Sequence, residues 1–165
     1  MDALSRFDAK RGTVAALLQA LTDGLAADLP ADRVLLAIVT PDRQQIAARF
    51  CSPPVDRRVL EGFQFPLDEG RLFSRLLARR ASLSLKPGTS GLLAPLMPAG
   101  LLALAGRGAF FAMSVFSGRR PLGLFYADSR VATDLGEARF RRFQQICVAA
   151  GHALERTAST ASRAA

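Results

Sequence analysis

Histidine and tyrosine each occur once in this sequence, cysteine and lysine twice, and asparagine not at all. Each shortage removes a class of chemistry. A metal centre needs clustered imidazoles, thiolates or carboxylates. His152, in "AAGHALER", has no companion motif and reads as a helix-packing or surface residue. Acid–base or nucleophilic catalysis needs a positioned base, and no such group can be assembled around it. Cys51 and Cys147 form no CxxC pair and lie far apart, so buried, reduced thiols are expected. "KPGTSG" lacks the GxxxxGK[ST] spacing of a phosphate-binding loop, and Ser117-Gly118 is no nucleophile elbow. The sequence therefore predicts no catalytic residue, no metal site and no cofactor.

Long apolar runs are also missing. The N-terminus "MDALSRFDAK" is charged and carries no secretory core. The most apolar stretch, Gly91 to Gly106, is too short to span a bilayer and is interrupted by Pro95, Pro98 and Gly100. A cytoplasmic protein without membrane contact is the expectation. Half of the residues are hydrophobic and 22% charged, which suits one globular domain. No internal repeat is evident.

The net charge is +8. Lys10 and Lys86 are the only lysines; the remaining cations are arginines, several in pairs: Arg57-Arg58, Arg79-Arg80, Arg119-Arg120 and Arg141-Arg142. Alanine and arginine richness also fits a GC-rich bacterial genome. Without a basic stripe and exposed aromatics, general attraction to polyanions follows but specific nucleic-acid binding does not.

The pattern along the chain is informative. Residues 2–28 predict a helix, since Leu4, Phe7, Val14, Leu17, Leu18, Leu21 and Leu25 recur near a 3.6 period; Pro30 stops it. "RVLLAIVT" (33–40) and "QIAARF" (45–50) predict a hairpin turning at Pro41-Asp42. A short helix near 55–61, an extended piece in 63–70 and a helix over 70–80 capped by Asp68 come next. "ASLSL" (81–85) alternates as a short edge strand. Residues 86–108 predict irregular helical turns packed over the sheet. Phe110–Phe116 and Pro121–Ala127 predict a central hairpin whose tip carries Arg119 and Arg120 as solvated charges. Gly123 would permit close backbone approach. A terminal helix over 134–157 would be capped by Asp134 with Glu137 three residues on. It presents an apolar stripe of Phe140, Phe143, Ile146, Cys147, Ala150, Ala153 and Leu154. Residues 158–165, small and polar, predict a flexible tail. The result is one α+β domain over residues 1–157: a terminal helix in 1–30, a mostly antiparallel sheet of five to six strands with a helical insert in 33–130, and a second terminal helix.

"RPLGLFYADSR" (120–130) resembles the late strand of GAF-like sensory domains, small-molecule modules related to PAS. "RVLLAIVTPDRQQIAARF" is similar to their first hairpin, and "FPLDEGRLFSRLLARR" to the segment leading into the pocket-flanking helix. The resemblance spans Arg33 to Arg156, and the run is also similar to the GAF-like region following an HDOD domain in some bacterial signalling proteins. It implies a non-catalytic sensory domain. Its small molecule would sit between sheet and insert, near Phe65, Phe73, Leu76, Leu77, Met97, Phe111, Met113, Tyr126 and Asp128. It also implies a homodimer through the terminal helices (Phe143, Ala150, Ala153, Leu154) and an attached or associated output domain. The alternative is a degenerate, ligand-free interaction or dimerisation module whose pocket is filled by leucine and phenylalanine. Tyr126 and Asp128 have a plainer reading too, the tyrosine packing and the aspartate capping a turn. Cyclic-nucleotide-binding members carry an N-K…F…D-E signature. Here asparagine is absent, and Asp68-Glu69 stands at the wrong distance from Phe63 and Phe65. Bilin or haem attachment is disfavoured by the position of His152.

Overall fold

A computed structural model of the chain describes residues 3–29, 31, 33–86, 93–98, 100–101, 109–129 and 135–163. Its elements are α1 (Ala3–Asp28), β1 (Arg33–Val39), β2 (Gln45–Ser52), α2 (Arg57–Gly62), β3 (Gln64–Pro66), α3 (Leu72–Ala78), β4 (Ser82–Leu85), a 3₁₀ turn (Ala94–Leu96), β5 (Ala109–Ser117), β6 (Arg120–Ser129) and α4 (Glu137–Arg163). The strands form one six-stranded sheet in the order β3-β2-β1-β6-β5-β4. Every neighbouring pair is antiparallel.

The sheet is central because its strands are apolar on both faces. Successive side chains alternate, so each strand feeds two cores. On one face Leu35, Ile46, Phe110 and Tyr126 meet Phe63, Phe73, Leu77 and Met97 of the insert. On the other, Leu36, Phe111, Val115 and Phe125 meet Leu25 of α1 and Phe143, Cys147 and Ala150 of α4. We call these the insert face and the terminal-helix face. α1 lies over β1 and β2, α4 over β5, and the helices touch each other. An Arg142–Asp28 ion pair of 2.9 Å links them.

Two glycines have backbone duties. Gly123 pairs with Ile38, and a Cβ there would stand 2.0 Å from the Ala37 carbonyl oxygen. No side chain fits between β1 and β6 at this point, as its strand context predicts. Gly118 takes φ 60° as the first of the two loop residues between Ser117 and Arg120. That is the position a type II′ hairpin turn gives to glycine.

Ser114, the one polar residue in the apolar run of β5, is also explained. Its hydroxyl accepts the Ala81 amide (3.0 Å) and lies within bonding distance of the Arg79 and Ala81 carbonyls. It ties the start of β4 to the sheet.

Two boundaries differ from expectation. α3 begins at Leu72, with Arg71 at its N-cap and no side-chain cap. Asp68 contributes only its carbonyl, which accepts from Ser74 Oγ (2.6 Å) and the Arg71 amide (3.2 Å). α4 continues through residues 158–163, where a tail was expected. Alanine there propagates a helix already nucleated upstream. Asp134, the expected cap of α4, and residues 87–92, 99 and 102–108 of the insert lie outside the described residues. Among the described residues, no helix is long and apolar enough to cross a membrane.

Candidate functional site

The apolar cluster of the insert face gathers six of the nine residues expected at a pocket. Phe65, Phe73, Leu76, Leu77, Met97 and Tyr126 share one buried cluster. Aromatic rings occupy its centre. Tyr126 lies 5.0 Å from Phe63 and 5.1 Å from Phe110, centroid to centroid. Phe63 lies 5.1 Å from Phe65 and 5.9 Å from Phe73. These are the offset and edge contacts that aromatic pairs favour.

Phe111 and Met113 are not part of it. They point to the terminal-helix face, Phe111 lying 5.5 Å from Phe143. Strand alternation sends Phe110 and Ala112 inward instead. A strand apolar on both faces gives no sequence signal for which set faces which side.

Asp128, the ninth, ends β6 on the insert face and carries the main polar feature there. Register sets Arg33, the first residue of β1, directly opposite. Arg33 Nε donates to Asp128 Oδ1 (2.9 Å) and Oδ2 (3.1 Å), and Nη2 donates to Oδ2 (2.9 Å). Tyr126 Oη donates to the same Oδ2 (2.9 Å). Arg33 is 6% exposed and Asp128 0%. The aspartate is thus one end of a buried charge pair rather than a turn cap. Arg33, Phe63, Phe110 and Cys51 were not legible as site residues. The arginine opening an otherwise apolar strand was the available signal.

Burial and the Asp128 charge set the electrostatics of this cluster. Burial alone would lower the Arg33 pKa, but the hydrogen bonds and charge of Asp128 outweigh it, and the net direction is up. Burial raises the Tyr126 hydroxyl well above its ordinary value, and the Asp128 charge adds to this. Burial also pushes the Cys51 thiol up to about 11, with Arg33 opposing and Asp128 reinforcing the shift. Cys147, on the buried side of α4, is raised by burial. At neutral pH the phenol and both thiols keep their protons, and the guanidinium is already engaged. A thiol in this state is a poor nucleophile. Among the described residues, no group of three or more His, Cys, Asp or Glu side chains could hold a metal ion.

His152 lies on the opposite side of the sheet, exposed on α4, its Nδ1 3.6 Å from Glu155 Oε2. Glu155 Oε1 accepts the Gly118 amide (2.8 Å), and Arg80 Nη2 reaches both the Gly118 carbonyl (2.8 Å) and Glu155 (3.4 Å). The β5–β6 hairpin tip is thereby fastened to α4, while Arg119 and Arg120 remain exposed.

The residues expected at a dimer interface fall mainly inside the protomer. Phe143, Ala150 and Leu154 are buried against the chain's own sheet, and Ala153 is half-buried. The α4 stripe is consumed by packing onto β5.

A single antiparallel sheet between two terminal helices and a helical insert is the GAF-like arrangement, and the chain has that fold. Solved structures of this class superpose over nearly its whole length. A methyl-accepting chemotaxis protein fragment matches with a TM-score of 0.70 and 17% identity, over 87% of this chain and 90% of that one. The GAF domain/HD domain protein from Geobacter sulfurreducens gives 0.68 and 18%, over 87% and 93%. A phycoerythrobilin-bound GAF domain from a cyanobacterial phytochrome gives 0.66 and 17%, over 97% and 98%. No family model and no curated protein matches the sequence.

Proposed function

We propose that this chain is a non-catalytic regulatory domain of a bacterial signalling protein, acting as an interaction and dimerisation module rather than as a small-molecule receptor. The observation that carries the reading is the insert face. Among the described residues of the insert face, where the sequence resemblance puts a ligand, this chain packs Phe63, Phe65, Phe73, Phe110 and Tyr126 against one another. Its polar groups there, Arg33, Asp128 and Tyr126, engage each other. A ligand would have to displace aromatic rings whose burial stabilises the domain by about 1.5–3 kcal/mol each. The small-molecule sensor is the competing reading, supported by the GAF-like fold.

Signalling then runs through the outward faces of α1 and α4. A second copy meets them where Val14, 40% exposed, and Ala149 stand outward. Contact between copies biases the packing of these helices and so an attached or associated output domain, of the HDOD kind implied by the sequence resemblance. Light scattering tests this. The expected mass is that of a dimer at micromolar concentration, and a monomer mass across that range overturns the dimer.

A further inference from the structure

We propose that the groove between α4 and the end of β5 docks an acidic protein segment carrying one apolar anchor side chain. The proposal rests on the interaction-module reading and names the chemistry of a partner for it.

The groove lies on the side of α4 turned towards β4, away from α1. Gln144 Nε2 donates to Ser82 Oγ (2.7 Å) along the same side of the helix. It is an open crevice of about 50 Å³. That is several times the space one water needs. Its floor is apolar: Met113, Val115, Phe116, Cys147 and Val148. Val148 is 47% exposed, an apolar side chain on a helix whose other apolar residues mostly face the sheet. Gly151 keeps the floor open, for a Cβ there would meet only the Phe116 carbonyl oxygen, at 3.7 Å.

The rim is cationic. Arg80 lies over the Phe116 ring, 5.8 Å from its centroid, and bonds Gly118 and Glu155. Those bonds bring two exposed basic segments together beside Glu155: Arg79-Arg80 and the tip arginines Arg119 and Arg120. These segments carry four arginines against the one carboxylate of Glu155. Glu155 already holds the Gly118 amide, and its pKa is lowered first by that bond. An incoming carboxylate-rich chain would meet an unbalanced positive rim around an apolar slot. Charge at the rim steers encounter, while burial in the slot supplies affinity.

Nucleic acid fits less well. Single strands use aromatic platforms for stacking. The exposed large apolar side chains among the described residues are Val14 and Val148, and Phe116 is covered by Arg80.

The test is fluorescence anisotropy at low salt with a short peptide of glutamate and aspartate around one central leucine. The same peptide with alanine at its centre and a mixed-sequence DNA duplex serve as comparisons. The leucine peptide is expected to bind more tightly than either. R119E/R120E should weaken it on the order of tenfold. Gly151→Leu, which fills the slot, should abolish the advantage of leucine over alanine. Circular dichroism matching the unmodified protein qualifies each variant, and the peptide comparison needs no variant. Equal binding of the two peptides, tighter binding of the duplex, or no binding overturns the proposal. A small molecule retained by the purified protein would remove the module reading whatever the peptides do. Failure of the peptides alone leaves that reading in place.

Discussion

The two faces of the sheet are built from the same strands and hold opposite kinds of core. The terminal-helix face is a conventional helix-on-sheet layer, largely apolar, its buried Thr22 hydroxyl donating back to the Leu18 carbonyl, with its charges at the rim in pairs such as Arg142–Asp28. The insert face buries a complete ion pair and a phenol beside four phenylalanine rings. The difference teaches where the chain has been specialised. A buried pair is a poor source of stability, because desolvation cancels much of its attraction, but once present it fixes register: Arg33 must stand opposite Asp128. The terminal-helix side, by contrast, carries the exposed large apolar side chains among the described residues, Val14 and Val148.

The largest expected effect breaks that pair. Asp128→Ala leaves a guanidinium buried without its carboxylate and should cost about 3–5 kcal/mol in denaturant unfolding. The double change Arg33→Met with Asp128→Leu should cost clearly less than Asp128→Ala. If the two cost the same, the pair does not act as a unit.

Next comes the seam shared by both faces. Gly123→Ala forces a Cβ against the Ala37 carbonyl and must part β1 from β6. A loss of about 1–3 kcal/mol, or more, is expected in thermal unfolding. A neutral result would mean that the strands separate without cost.

A smaller effect comes with alkaline pH. Cys51 titrates near 11 in the folded chain against an ordinary 9.0, so its neutral form is favoured by folding. Its stabilising contribution is complete below pH 9 and is lost as the pH rises from there towards 11. Thiol reagents at pH 8 should label neither Cys51 nor Cys147 in the native protein, and both after unfolding. Rapid native labelling would contradict the burial of the two cores.

The smallest effect lies outside both cores and has the opposite sign. Gly151→Ala replaces a helical glycine where the new methyl meets only ordinary contact, so it should stabilise by up to about 1 kcal/mol. Destabilisation would show that the groove wall is tighter than its geometry indicates.

Much of this arrangement was legible in the sequence. Both hairpins are visible as apolar runs about Pro41-Asp42 and Gly118-Arg119, and the close approach at Gly123 follows from a glycine inside a central strand. The Arg33–Asp128 pair was not legible, since it joins residues 95 positions apart whose register is set by the completed sheet. Phe111 and Met113 were misassigned because β5 is apolar on both faces, so alternation fixes their sidedness only once the sheet exists. The α4 stripe was read correctly as apolar, but periodicity does not say whether the chain's own sheet or a second copy covers it. Residues 158–163 looked like a tail because small polar residues carry no period, yet the helix runs on through them.

Native mass spectrometry of the protein purified from its own host tests the central claim most directly. An insert face filled by its own aromatic rings predicts the mass of the polypeptide alone, in a dimer, with nothing retained. A small molecule bound in stoichiometric amount and lost on unfolding would contradict the account and return the domain to the class of ligand sensors.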